Sequence, residues 1–289
     1  MQNKCKLKNS TKFTKLKVNI NKWIYFELLE TSKLIKKNIE DYRFDEAAKN
    51  AYHFAWHKYC DWYLELSKTI LFSNNLKAKN EVKEVSTYVF RQILIMLHPF
   101  IPFVTEKIWL KNKFDKKNKN FLMLTNWISG KTKKDNDHKQ VQQIIDIISE
   151  IRSFKNELNV SPGSFIDISI HSLKKNNQSF VINNEIIIKK LGRINNFFKK
   201  DQNKPSASLI ISGDLFKIYF DENIDLSSIK ENLLKRQNKY QEEMNKISKR
   251  LSNKGFVQRA PKDIVQQEKT NYSNLKNDIK KIFLTIESI

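Results

Sequence analysis

Residues 42–66 read YRFDEAAKNAYHFAWHKYCDWYLEL, and the fold of the first half of the chain depends on this stretch. Its apolar residues recur at steps of three and four, which is the repeat of an amphipathic α-helix. The pattern predicts one long helix from about residue 45 to residue 71. The side chains predicted to form its inner face are Ala48, Tyr52, Ala55, Trp56, Tyr59, Trp62, Tyr63 and Leu66.

Three further helices are predicted around this stretch. One covers residues 20–39, and Asn19 precedes it as the predicted N-cap. A second, over residues 80–97, ends before Pro99, because the residue preceding a proline is biased away from the helical region. The third covers residues 103–110. Four helices joined by short connections predict a helical bundle.

The pattern changes in the middle of the chain. Residues 121–124 are predicted to form a short extended segment, and residues 139–158 a further helix. Apolar and polar residues then alternate over residues 165–170, which predicts a strand. A hairpin with a Ser-Gly-Asp turn is predicted over residues 208–220, after a helix at residues 184–191. Together these elements predict a small α/β module.

From residue 225 to the end, apolar residues form two stripes with a coiled-coil repeat, and the second stripe alternates steps of three and four strictly. The first stripe is Leu226, Ile229, Leu233, Tyr240, Met244, Ile247 and Leu251, and the second is Tyr272, Leu275, Ile279, Ile282, Ile286 and Ile289. Gly255 suits the end of one helix and Pro261 the first turn of the next. The stripes predict an antiparallel coiled-coil hairpin whose arms, at ~1.5 Å per residue, are about 35–40 Å long.

The chain is strongly basic. Its 53 Lys and Arg residues against 31 Asp and Glu residues give a formal net charge of +22. Such a charge favours a polyanionic partner such as a nucleic acid. The alternative is a composition rich in Lys, Asn and Ile, as in an AT-rich genome, which would raise the net charge without a functional cause.

Cysteine content and hydropathy indicate the compartment. Cys5 and Cys60 lack spaced partners, which excludes a disulfide framework or zinc knuckle and favours a reducing, cytoplasmic location. No stretch approaches the roughly 20 apolar residues of a membrane span, so no membrane partner is expected.

Four segments resemble a known family. Residues 42–66 and residues 97–106, LHPFIPFVTE, are similar to the helical anticodon-binding domain of the valine, isoleucine and leucine class I tRNA synthetases. Residues 151–163, IRSFKNELNVSPG, resemble the linker of the valine enzymes, and residues 251–261, LSNKGFVQRAP, resemble their hairpin tip. From about residue 19 onward, the chain therefore resembles the C-terminal region of valyl-tRNA synthetases.

The resemblance implies a mainly α fold with four parts. Residues 1–18 would be an N-terminal extension and residues 19–138 the anticodon-binding helical bundle. Residues 139–223 would form a linker helix and small α/β module, and residues 224–289 a coiled-coil tRNA-binding arm.

The resemblance also implies a function. We expect the chain to recognise tRNA(Val) through its anticodon region and its elbow, and we expect no DNA partner. The family's catalytic signatures, His-Ile-Gly-His and Lys-Met-Ser-Lys-Ser, do not occur in this sequence. We therefore expect no catalytic residue, metal site or cofactor in this chain, which alone would be inactive. The parent enzyme would use ATP and Mg²⁺ in the nucleotide-binding fold.

Two sets of cations are the candidate tRNA contacts. Those implied in the bundle are Arg43, Lys58 and Arg91. Those clustered around the hairpin tip, where the arm would meet the D and T loops, are Lys246, Lys249, Arg250, Lys254, Arg259 and Lys262. The alternative for any one of them is an ordinary solvated surface charge.

Other interpretations remain open at this point. His57, Asp61 and Glu65 share one helix face and could act as acid–base partners, although polar residues of a packed helix explain them more simply. The chain could instead be a subunit of a split synthetase that works with an N-terminal catalytic chain. It could also be a free-standing tRNA- or protein-interaction module.

Overall fold

The computed structural model divides the chain into two compact units, Met1–Ile145 and Asp146–Ile289. The residues it describes are 16–114, 121–128, 130, 136–158, 160–171, 180–198, 202, 206–211, 214–219, 225–253, 255–256 and 260–288. The predicted N-terminal extension lies outside them except for residues 16–18. The predicted domain limits at residues 138 and 223 stay predictions.

The first unit is helical. Its helices are α1 (Asn19–Glu40), α2 (Phe44–His53), a π-helix (Phe54–Leu64), α3 (Glu65–Leu71), α4 (Leu76–Leu97) and α5 (Pro102–Asn112). Helix α1 packs against α2, α4 and the π-helix, and α4 packs against α5. Trp23, Leu28 and Ile35 of α1 are fully buried between these helices. The predicted helical bundle is confirmed, and each such side chain contributes roughly 1.5–3 kcal/mol by leaving water.

The predicted inner face of this long helix is correct in part. Tyr59 and Tyr63 are buried as predicted, whereas Tyr52 and Trp56 are 57% and 54% exposed and Phe54, which was not predicted, is buried. The reason is the π-helix, in which the backbone bonds from i to i+5 and the buried positions step by five, from Phe54 to Tyr59. A repeat of 3.6 residues could not reveal this shift.

Helix α1 also begins differently from the prediction. Asn19 is the first helical residue and Val18 is the N-cap, without a side-chain cap of its own. The Glu81 carboxylate on α4 instead accepts hydrogen bonds from the backbone N–H of Val18, at 3.0 Å, and from the Asn21 amide, at 2.9 Å. The helix start is therefore capped by a residue far away in sequence, which a local motif does not report.

The predicted extended segment at residues 121–124 is wrong. Leu122–Leu124 form a turn of 3-10 helix, and Leu122 is buried against Trp109 and Phe114. The Leu122 N–H donates to the Glu106 carboxylate at 3.0 Å, so the turn is fixed to α5.

The second unit contains a four-stranded sheet in the order β2-β1-β4-β3. Its elements are the end of α6 (Asn136–Glu157), β1 (Ile166–His171), α7 (Glu185–Gly192), β2 (Ile194–Phe198), β3 (Ser206–Ile211) and β4 (Asp214–Tyr219). Strands β3 and β4 form the predicted antiparallel hairpin, and β1 pairs with β4. The predicted turn residues Ser212 and Gly213 lie outside the described residues.

Strand β2 was not predicted. It pairs in parallel with β1 and follows α7 at once, after Arg193 in a left-handed conformation with φ 55°. Its sequence, INNFF, does not alternate apolar and polar residues, so the strand signal is weak. Pairing with β1 supplies the backbone hydrogen bonds that make this stretch a strand.

The last two helices form the predicted hairpin. They are α8 (Leu226–Ser252) and α9 (Lys262–Ser288), each of 27 residues, and they pack on each other. Asp225 caps α8 by accepting from the N–H groups of Ser227 and Ser228. At ~1.5 Å per residue each helix is about 40 Å long. Among the described parts of the chain, every helix is too short or too polar to serve as a membrane span.

The base of this hairpin is attached to the rest of its unit. Arg236 on α8 lies 3.4 Å from the Glu157 carboxylate at the end of α6. Helix α9 also packs against strand β3. The hairpin is therefore held at its base by an ion pair and by the edge of the sheet.

Candidate nucleic-acid interface

A basic and aromatic corner joins α1 to α2. Tyr42 takes a left-handed conformation with φ 58°, and its ring and that of Phe44 are 83% and 52% exposed. The two rings meet edge to face, with centroids 6.3 Å apart. Between them, the Arg43 guanidinium donates to the buried Asn38 side-chain oxygen at 2.6 Å. The corner therefore presents a positioned cation between two exposed rings.

Lys58 and Arg91 are in different surroundings. The Lys58 ammonium lies 3.5 Å from the Glu27 carboxylate and 5.8 Å from the centroid of the Trp23 ring. The Arg91 guanidinium lies over the Trp109 ring, 4.9 Å from its centroid. Both cations are thus engaged inside the bundle and only partly exposed. As tRNA contacts they stay predictions, and Arg43 is the most exposed of the three.

An exposed aromatic pair lies at the start of the π-helix. The rings of Tyr52 and Trp56 are parallel, with centroids 6.2 Å apart and planes 6° apart. Exposed flat rings of this kind stack on unpaired nucleic-acid bases. Sequence reasoning missed this pair because it placed both side chains on the inner face.

Histidines and carboxylates near this pair form ordinary surface contacts. His57 Nδ1 lies 3.0 Å from the Asp61 carboxylate, and the Lys68 ammonium donates to Glu65 at 2.5 Å. Desolvation lowers the pKa of His53, and the nearby charges of His57 and Lys58 add to that lowering. No trio of His, Cys, Asp or Glu among the described residues could hold a metal ion. These contacts favour the structural explanation over acid–base chemistry.

The arm presents cations on one helix face. Lys246, Lys249 and Arg250 are all exposed and follow the i, i+3, i+4 spacing that places side chains together. The Arg250 guanidinium also donates to Glu268 on α9 at 2.7 Å, which links the two helices. Lys254 and Arg259 lie outside the described residues, and Lys262 is the first residue of α9.

Comparison with known proteins gives two family matches. The family model for the anticodon-binding domain of tRNA ligase matches residues 21–170. The family model for the valyl tRNA synthetase tRNA binding arm matches residues 225–284. The first match continues beyond α6 into β1, and the second covers most of α8 and α9.

Individual relatives agree with the family models. The chain is 69% identical to the valine--tRNA ligase of Pelagibacter ubique (strain HTCC1062), covering 95% of this chain and 31% of that protein. It is 32% identical to the Bartonella henselae valine--tRNA ligase, over 95% of this chain and 30% of the relative. For the Zymomonas mobilis valine--tRNA ligase the identity is 30%, over 99% and 33%.

The chain therefore spans about a third of the length of these relatives. The resemblance read from residues 42–66, 97–106, 151–163 and 251–261 is confirmed. The chain belongs to the family of tRNA ligase anticodon-binding domains and corresponds to the C-terminal, tRNA-binding portion of valine--tRNA ligases.

Proposed function

We propose that this chain binds tRNA(Val) by its anticodon region and its elbow, without making or breaking a covalent bond itself. The observation that carries the proposal is the basic end of α8. There, Lys246, Lys249 and Arg250 share one exposed face of a helix pair that matches a tRNA-binding arm.

Two kinds of contact would hold the RNA. Cations on the arm would neutralise backbone phosphates and release counterions, which makes the affinity steeply dependent on salt. In the bundle, Arg43 would contact a phosphate while the rings of Tyr42 and Phe44 stack on unpaired bases. Phosphate contacts position the RNA, and base contacts distinguish one anticodon from another.

Binding of this kind serves catalysis by positioning. In a complete valine--tRNA ligase, ATP and Mg²⁺ would act in another part of the protein, and this portion would hold the acceptor end in place. Correct positioning lowers a barrier without any contact to the reacting atoms. The chain alone would then bind tRNA but would not aminoacylate it.

The test is tRNA binding across a salt series, with tRNA(Val) and tRNA(Ile) compared, together with valine-dependent ATP–pyrophosphate exchange. We expect a complex whose affinity falls linearly with salt on logarithmic axes, and no exchange. Exchange by the purified chain, or a tRNA complex insensitive to salt, would contradict the proposal.

A second candidate function is that of a subunit working with an N-terminal catalytic chain. It is favoured by exposed apolar side chains on α5 and on the 3-10 turn that packs against it. Phe103 is 89% exposed, Met123 72% and Leu124 66%. Exposed apolar side chains of this size are candidates for contact with another polypeptide.

Co-expression with a chain that corresponds to the other two thirds of the relatives' length tests this candidate. We expect a stable complex that regains exchange activity and that Phe103→Ser with Met123→Ser weakens. If the two co-expressed chains do not form a complex and show no exchange activity, this candidate is rejected.

A further inference from the structure

The second unit contains a basic cleft of about 280 Å³ where α6 ends. Three of its lining residues are cations, namely Arg152, Lys155 and Arg193, and none of its lining residues is acidic. Asn156 and Gly192 also line it. Part of its lining comes from residues 151–163, the stretch that resembles the linker of the valine enzymes, and the rest comes from the end of α7.

Backbone carbonyls hold two of these cations in place. The Arg152 guanidinium donates through Nε and Nη2 to the Leu191 carbonyl, at 3.1 and 2.8 Å. The Lys155 ammonium donates to the Ser164 carbonyl at 2.5 Å. Carbonyl oxygens fix the direction of a cation but carry no full negative charge.

Arg193 completes the cleft from the end of α7. Its left-handed backbone, φ 55°, turns the chain from α7 into β2. Its guanidinium carbon lies 5.7 Å from the centroid of the Phe165 ring. The residue is exposed and lines the cleft.

Lys155 is the unusual member of the set. Only 3% of this residue is exposed, although lysine is among the residues least often buried. Desolvation lowers the pKa of its ammonium, and the charges of Arg193 and Arg152 lower it further. A bound anion would reverse these effects, because it restores a favourable partner to the buried charge. Two N–H groups of the ammonium remain beyond the bond to Ser164.

We propose that this cleft binds a phosphate group of an RNA backbone, with Lys155 and Arg193 as its ligands and Arg152 fixing the wall between them. The inference rests on the proposed function, since the phosphate would belong to the tRNA that the chain holds. Converging ammonium and guanidinium donors match the several acceptor oxygens of one phosphate. The site would give the α/β module a share in tRNA binding beside the bundle and the arm.

The experiment measures the tRNA(Val) dissociation constant across a salt series for Arg193→Gln and Lys155→Met. Each variant should weaken binding about 10-fold at low salt and reduce the salt slope by about one. Lys190→Gln is the matched control, since Lys190 is exposed on the same helix as Gly192 and does not line the cleft. That control should change affinity less than about twofold.

Folding of the variants is monitored by thermal unfolding. Arg193→Gln changes an exposed side chain, so its Tm should stay close to that of the unchanged chain. Lys155→Met removes a desolvated charge, which raises the Tm, and also the hydrogen bond to the Ser164 carbonyl, which lowers it. Weaker tRNA binding by a variant with an unchanged or higher Tm is therefore a loss of contact and not a loss of fold. Cleft variants that bind with the affinity and slope of Lys190→Gln would overturn the proposal.

A second measurement identifies the source of the phosphate. The Tm of the unchanged chain is compared in inorganic phosphate and in chloride of equal ionic strength. Suppose that phosphate raises the Tm, that Lys155→Met abolishes this rise, and that the chain does not bind tRNA. The cleft would then be a site for a free anion, and the RNA assignment would be overturned. Failure to bind any tRNA rejects the proposed function itself. Binding of tRNA that is indifferent to the cleft variants rejects only the inference.

Discussion

Lys58 and Arg91 in the bundle lie against the rings of Trp23 and Trp109, whereas Lys246 and Lys249 on the arm are exposed to solvent. The same side-chain chemistry is thus used for packing in one region and is available for a ligand in the other. Long cationic side chains cover apolar surface with their stems, and removing one then costs packing as well as charge. The net charge of +22 therefore overstates the charge that can reach an RNA.

The largest effect that would test this contrast is expected at the arm. Lys246→Gln, Lys249→Gln and Arg250→Gln combined should weaken tRNA binding about 100-fold at low salt, because three phosphate contacts are lost. The loss should be similar for tRNA(Val) and tRNA(Ile), since phosphates carry no sequence. The measurement is binding of both tRNAs across a salt series.

The control variant keeps the three positive charges but exchanges ammonium and guanidinium groups. Its substitutions are Lys246→Arg, Lys249→Arg and Arg250→Lys. It should bind within a few fold of the unchanged chain. The stability of the neutralised protein should fall by about 1 kcal/mol, because Arg250→Gln removes the ion pair with Glu268, whose side chain is only 16% exposed. An effect limited to one tRNA would refute the assignment to phosphates.

The interior of the bundle should respond to alkaline pH. Burial raises the pKa of Tyr59 to about 12, although its hydrogen bond to Ser86 lowers it in part. Since the pKa is about 10 in an unfolded chain, the stabilisation is full below pH 10 and is lost as the pH rises through 12. The expected loss from this residue is roughly 2–3 kcal/mol.

Urea unfolding between pH 8 and pH 12 measures this loss, with Tyr59→Phe as the control that keeps the ring. Tyr59→Phe should cost about 1 kcal/mol at pH 8, through the lost hydrogen bonds to Ser86. Its stability should then fall less steeply above pH 10. An identical fall in both proteins would contradict the assignment to Tyr59.

The smallest expected effect, that of Arg91→Met, distinguishes most directly between cations that pack against rings and cations that bind RNA. Arg91→Met should lower the free energy of unfolding by about 1 kcal/mol, because the cation over Trp109 is replaced by an uncharged chain. The salt slope of tRNA binding should stay unchanged. Lys246→Met should do the opposite, with weaker tRNA binding and unchanged stability.

Denaturant unfolding and tRNA titration of these two single variants decide between the roles. If Arg91→Met were fully stable and bound tRNA poorly, Arg91 would be an RNA contact, as its place in the candidate set implies. The distinction between packing and binding cations would then be wrong at this position.

Local signals in the sequence predicted the helices well. Pro99 marked the end of α4, and the first apolar stripe matches α8 within one residue. Pro261 indicated the start of α9, which lies ten residues before the second stripe begins. These features depend on neighbours within one or two turns. The π-helix and strand β2 were not predicted. The π-helix changes the spacing of the buried residues within one helix, and β2 depends on pairing with the distant strand β1.

The candidate site was predicted less completely, for the same reason. The exposed cations of the arm follow from helical spacing alone. The partners of Lys58 and Arg91 come from Trp23 and Trp109 on other helices, so their engagement was invisible in the sequence. The basic cleft joins residues 152 and 155 to residue 193, and only the folded module brings these together.

The ion pair between Arg236 and Glu157 fixes a reference point from which distances along the arm can be measured. From Arg236 to Arg250 the helix runs 14 residues, or about 21 Å at ~1.5 Å per residue, and a helix does not stretch. The distance from the anchored base to the basic end is therefore fixed. The cations of the arm can contact an RNA only at phosphates that lie at this distance from the base of the arm. Adding or removing one helical turn would therefore change which nucleotides are bound.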